Sequence, residues 1–144
     1  MIKVKAIARS AINKARVARL ATLATTNSMQ LHLVPVVFVF DGQKFFIPLD
    51  KKRKTVSPER LRRVKNIETN PYVALLIDDY NEDWTKLFFV LVQGKATIIG
   101  KEQDELLAKV HKMLFIKYPQ YREVGVGKSC IAIYPDNVIF WKNW

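Results

Sequence analysis

The chain has 144 residues, 49% of them hydrophobic and 26% charged, with a formal net charge of +11 and a single cysteine. That length is most simply one domain, 1–144, with enough apolar residues to bury a core, and the composition excludes a disordered chain. One cysteine, Cys130, excludes an intramolecular disulfide and offers no cysteine-pair metal site. Inside an apolar run it reads as a small buried hydrophobe.

The basicity is concentrated. Residues 51–65 hold eight Lys and Arg against one Glu, a net +7, which leaves only +4 for the rest of the chain. Such a cluster points to an anion partner more than to general solubilisation. The N-terminal stretch is basic too, but its apolar residues are scattered. It lacks the continuous apolar run of a signal peptide, and no stretch is long enough for a membrane span, so a cytoplasmic location with no membrane partner is expected.

In chain order, residues 3–15 place Val4, Ile7, Ala8, Ala11, Ile12 and Ala15 at helical spacing. Arg16–Thr25 is β-like, and Thr26-Asn27-Ser28 is a turn signal. Leu31–Phe40 is rich in β-branched and aromatic residues and reads as one strand; Pro35 within it implies an edge or a bulge, because proline cannot donate to the ladder. Asp41-Gly42 is a hairpin signal, with Lys44–Leu49 as the returning strand. Ser57-Pro58-Glu59 suits a helix start, Leu61, Val64 and Ile67 give its apolar stripe, and Asn70-Pro71 stops it. Tyr72–Ile77 is a buried strand, and Asp78–Trp84 an acidic, aromatic loop. Leu87–Ile99 is a long or bent strand with Gly94 as its bend, and Lys101–Tyr118 an amphipathic helix. Cys130–Tyr134 and Val138–Trp141 read as a closing hairpin about Pro135-Asp136-Asn137.

The count is six or seven mostly antiparallel strands and about three peripheral helices, a mainly β (α+β) protein. So many strands remove their edges most simply by closing into a barrel.

Catalytic templates are absent: the chain has no G-x-S-x-G, P-loop or G-x-G-x-x-G. His32 and His111 lie on different elements, and His111 reads as a surface residue, so no metal site is expected. The acidic cluster Asp78, Asp79, Glu82 and Asp83 reads as a solvated loop or as a counter-charge to the basic segment, with a cation site as the lesser alternative. An anion site without side-chain catalytic machinery suggests a cofactor that brings its own chemistry. The basic strand-to-helix junction is where an anion would sit, since a helix N-terminus adds free N–H groups and dipole charge to the side chains. Arg60 and Arg63 share a helical face by spacing, while Arg62 points to solvent or to a second subunit.

Three runs of residues resemble a known family. They are R-x-A-x-L-A-T beginning at Arg16, Leu-Arg-Arg-x-x-Asn-Ile at Leu61–Ile67 followed by Asn70-Pro71, and Asp79-Tyr80, Asp83-Trp84, Leu87 and Val90. Together they resemble the pyridoxamine-phosphate-oxidase-like split β-barrel proteins, and more narrowly the deazaflavin (coenzyme F-420)-dependent oxidoreductase branch. The resemblance runs from about Arg16 to Ile99, with a looser fit to Trp141. Two departures stand out: the run Lys54–Glu59 is a residue or two longer than the family pattern, and Phe88-Phe89 replace paired tryptophans or mixed aromatics.

The resemblance implies a homodimer with two cofactor sites at the subunit interface, holding FMN or the deazaflavin. It places Lys52, Lys54, Arg60 and Arg63 on the cofactor phosphate, the ring against the strand His32–Val36 with Pro35 among the contacts, and Trp84 as a lid or partner-subunit contact. The function it implies is a flavin- or deazaflavin-dependent oxidoreductase moving a hydride to or from a small organic substrate. A non-catalytic flavin carrier or sensor is the alternative. A nucleic-acid-binding β-barrel ranks third: single-strand binders expose aromatics along a basic groove, whereas Phe38, Phe40, Phe45, Phe46, Phe88 and Phe89 lie in apolar strands.

Overall fold

The computed structural model describes residues 2–25, 29–49 and 61–143. The expected Thr26–Ser28 turn and Ser57 helix start lie outside them. Seven strands, all antiparallel to their neighbours, form one sheet in these residues. They are β1 (Ala18–Leu23), β2 (Leu31–Val36), β3 (Val39–Phe40), β4 (Phe45–Leu49), β5 (Tyr72–Asp79), β6 (Phe88–Ile99) and β7 (Ser129–Lys142), in the order β2-β1-β5-β6-β7-β4-β3. Four helices accompany them: α1 (Ala6–Lys14), α2 (Arg62–Thr69), α3 (Asp104–Lys117) and the single turn α4 (Tyr121–Val124).

The strand order dictates the shape. β2 and β3 lie at opposite edges of the sheet, yet only Val37 and Phe38 separate them in the chain. A flat sheet of seven strands would hold its edges roughly 29 Å apart, while three residues of chain reach about 11 Å at most. The sheet must therefore curl until its edges nearly meet, which makes a split barrel. Leu31–Phe40 is thus two strands on opposite edges, not the single strand its composition suggested; Pro35 does sit on an edge strand, as expected. At the hop, the Phe38 N–H donates to the Tyr118 hydroxyl at 3.2 Å. That hydroxyl has the Phe38 and Arg16 carbonyls as acceptors, at 3.1 and 3.0 Å. One tyrosine thereby satisfies backbone groups that the ladder leaves behind.

The Asp41-Gly42 hairpin forms as expected. Asp41 Oδ1 accepts from the N–H groups of Gln43 and Lys44, at 2.9 and 2.7 Å, and Gly42 adopts a φ of +99° that favours glycine.

The closing hairpin is a correction. β7 is one continuous strand paired along β6, and Pro135-Asp136-Asn137 is a bulge: Gln93 faces Asn137 and Gly94 faces Pro135, which leaves Asp136 extra. Turns and bulges favour the same residues, and here the long partner strand decides the outcome. Gly94 is needed opposite it, because a Cβ there would strike the Tyr134 carbonyl oxygen and lie 2.9 Å from Pro135 Cα.

The inner faces of the strands build the main core, which Ala8 and Ile12 of α1 and Val64 and Ile67 of α2 close off. A second core lies outside the barrel, where Leu107, Val110 and Leu114 of α3 cover Val39, Phe46, Cys130 and Ala132. β4 is buried on both sides and accordingly reads as an unbroken apolar run.

Candidate functional site

α2 begins later than its sequence suggests. Leu61 has extended backbone (φ −62°, ψ 141°), so the helix starts at Arg62. Arg60, Lys52 and Lys54 lie outside the described residues.

Beside the core residues Val64 and Ile67, a polar contact fixes α2 on the sheet. The Asn66 side-chain amide donates to Thr22 Oγ1 at 3.0 Å, and both residues are 2% exposed. Thr22 faces His32 across the β1–β2 ladder, so the two side chains stand on one face of the sheet. Arg63 lies one helical turn before Asn66 and shares its side of α2. The contact thus brings the α2 arginines to the imidazole of His32. Burial holds the His32 pKa below its ordinary 6.5, and the Arg63 and then Arg62 charges lower it further. Arg62 is exposed, as expected, and its charge reaches His32 as the weaker of the two.

His32 Nδ1 is buried and has no hydrogen-bond partner among the described residues. A polar nitrogen of this kind, within the field of two guanidinium charges, fits an anionic oxygen, and Arg can grip phosphate with parallel N–H bonds.

Strand parity separates the other expected contacts. Val36 is 7% exposed on the inner side with His32, whereas Pro35 points to the outer face opposite Arg19. The side chains of His32 and Pro35 thus stand on opposite sides of β2. Because β2 is an edge strand, its outer backbone groups are open to a ligand along that edge.

Trp84 is 63% exposed in a 3₁₀ turn at 84–86, with Nε1 3.3 Å from the Tyr80 hydroxyl. This turn follows the Asp79 end of β5, which lies six residues, or about 20 Å, beyond the level of Thr22 and His32. Within one subunit Trp84 does not meet His32. Asp83 caps the turn through Thr85, and Asp78 pairs with Arg19 at 2.8 Å. Among the described residues, no group of three or more His, Cys, Asp or Glu could hold a metal ion.

His111 is half-buried, not on the surface as expected; its Nε2 lies 3.1 Å from the Gly127 carbonyl oxygen. Cys130 is buried, and burial pushes its thiol pKa up to about 12. The phenylalanines Phe38, Phe40, Phe45 and Phe46 are 0–6% exposed, which removes them as base-stacking platforms.

Thr22 and Asn66 were missed as site residues. Asn66 belongs to the Leu-Arg-Arg-x-x-Asn-Ile motif and stands three residues after Arg63, a signal for a shared face.

The family model for pyridoxamine 5'-phosphate oxidase matches residues 4–142. The chain belongs to that family. A search of curated proteins finds no match. Among solved structures, a conserved hypothetical protein of Mycobacterium tuberculosis superposes with a TM-score of 0.74 at 19% identity, covering 99% of this chain and 86% of that one. The heme storage protein HutZ of Vibrio cholerae gives 0.72 at 12% identity, over 98% and 95%. A FAD-binding protein of Mesorhizobium loti gives 0.67 at 13% identity, over 95% and 94%. At these identities the likeness is one of fold. No helix among the described residues is long and apolar enough to cross a membrane.

Proposed function

We propose that this protein is a flavin- or deazaflavin-binding oxidoreductase that works as a homodimer on a small organic substrate. The observation that carries the reading is the cationic corner at His32, Arg62 and Arg63, held in place by Asn66 and Thr22 in a chain of this family. FMN or coenzyme F-420 would place its phosphate there, with Lys52, Lys54 and Arg60 completing the cradle from the segment just before α2. When bound, the cofactor supplies the hydride chemistry. The chain's own part is to neutralise the phosphate, to offer the β2 edge from His32 to Val36 to the ring, and to keep water from it.

The dimer reading rests on the outer face of the sheet. Ladder registers align Leu31 and Leu33 of β2 with Leu23 and Ala21 of β1, then Ala74 and Leu76 of β5, Leu91 of β6 and Ile139 of β7. Leu31 and Leu33 are 73% and 67% exposed, and Tyr72, Ile139 and Trp141 on the same face are exposed as well. A largely apolar face that runs across five strands, broken by the Arg19–Asp78 pair and Gln93, is the kind that a second copy covers, and two-fold pairing makes it self-complementary. In such a dimer, Trp84 of one subunit is the candidate contact for the other subunit's cofactor.

Reconstitution with FMN or coenzyme F-420, followed by the visible absorption spectrum, tests the reading. A perturbed bound-cofactor spectrum at micromolar concentration is expected. Binding of neither cofactor would refute it. Stopped-flow mixing of the reduced complex with electron acceptors then divides an enzyme from a carrier or sensor.

A further inference from the structure

We propose that the flank of α1 is a binding groove for an elongated organic monoanion with an apolar body, of the long-chain carboxylate class. Two clefts of about 410 and 330 Å³ adjoin along this helix and share Ala11, Lys14 and Phe88. Each is of the size that small-molecule sites have. The space exists because α1 turns the small side chains of Ser10, Ala11 and Ala15 toward it, over a floor of Phe88 and Phe140.

Charge selects the occupant. Lys14, Lys86 and Lys142 line the second cleft, and no carboxylate does. The larger cleft carries Arg16 with Asp78 and Asp79, which the registers Asp78–Phe89 and Asp79–Phe88 place at the end of the β5–β6 ladder, and Asp78 is already paired with Arg19. A carboxylate among the lysines, with its chain over Phe88 and along Ala15 and Val17, meets complementary charge at its head and apolar surface along its body. A second carboxylate at the far end would face Arg16 and Asp79 together, whose charges offset, against the apolar Ala15 and Val17; it would lose hydration without net attraction, so a monoanion is preferred to a dianion. Within one subunit the groove lies at the end of the barrel opposite His32 and α2.

Calorimetric titration of the full chain with dodecanoate, dodecanol and dodecanedioate tests this, with FMN affinity measured in parallel. Dodecanoate should bind, and the alcohol and the diacid should each bind at least about tenfold more weakly. Lys14→Glu combined with Lys86→Glu should weaken dodecanoate by about tenfold or more, and Ala11→Phe, which fills the groove, should abolish binding. Ala11→Phe, which adds no charge beside the Trp84 turn, should leave FMN affinity unchanged. Absence of dodecanoate binding would overturn the proposal. So would charge-reversed and filled variants that both bind like the unaltered chain, since the ligand would then sit on the outer face of the sheet.

Discussion

Asn66 donates its side-chain amide to the Thr22 hydroxyl at 3.0 Å, and these two are the buried polar residues of the described core. Breaking a buried pair strands its partner, which costs about 1–3 kcal/mol. Thr22→Val keeps the shape and leaves the Asn66 amide unmatched. It should lower unfolding stability by that amount in a denaturant titration, and it should weaken FMN binding because α2 loses its register on β1.

The outer sheet face gives a second prediction. Leu33→Glu places a charge on the most exposed strand of this face, β2, while touching none of the inner core. Light scattering after size exclusion should show the unaltered chain as a dimer and the variant as a monomer. Flavin affinity should fall with the dimer, since the site is read as shared between subunits.

His32 gives a pH-dependent prediction. Its folded pKa is lowered by burial, then by Arg63 and Arg62, so the folded chain disfavours its protonation. Its stabilising contribution is therefore complete above the unfolded value of 6.5 and is lost as pH falls through the lower folded value. An NMR titration of His32, assigned with His32→Gln, should show a midpoint below 6.5. Inorganic phosphate should move that midpoint upward, because an anion beside the imidazole favours the charged ring.

Lys117 behaves in the same sense at higher pH. Its Nζ lies 3.8 Å from the centroid of the Phe38 ring and has no hydrogen-bond partner among the described residues. Burial, and then the Arg16 charge, lower its pKa from 10.5 to about 8. Between those values the unfolded chain holds a proton that the folded chain has released, so stability rises with pH across that window. Lys117→Met should be more thermostable than the unaltered chain near neutral pH, and its advantage should shrink from pH 8 toward 10.5.

These residues also show what the sequence made legible. The hairpin at Asp41-Gly42 was readable because its cause is local: one carboxylate and one positive φ. The bulge at Pro135-Asp136-Asn137 was not, since turns and bulges favour the same residues and only the long β6 partner decides between them. Likewise Val37-Phe38 gives no local sign that the chain changes edges there; the split follows from the strand order of the whole sheet. In the candidate site, the charges of Arg62 and Arg63 were plain in the sequence. The Thr22–Asn66 contact that aims them at His32 joins residues 44 apart, and no local pattern announces such a pairing.

The ligand proposed for the corner formed by His32, Arg62 and Arg63 is a flavin-type phosphate. Parallel fluorescence titrations with FMN and with riboflavin, which lacks the phosphate, test it most directly, in the unaltered chain and in Arg63→Ala. FMN should bind at micromolar concentration and riboflavin at least about tenfold more weakly, with Arg63→Ala removing most of that difference. Equal affinity for the two, or an Arg63→Ala variant that keeps the full preference for FMN, would contradict it.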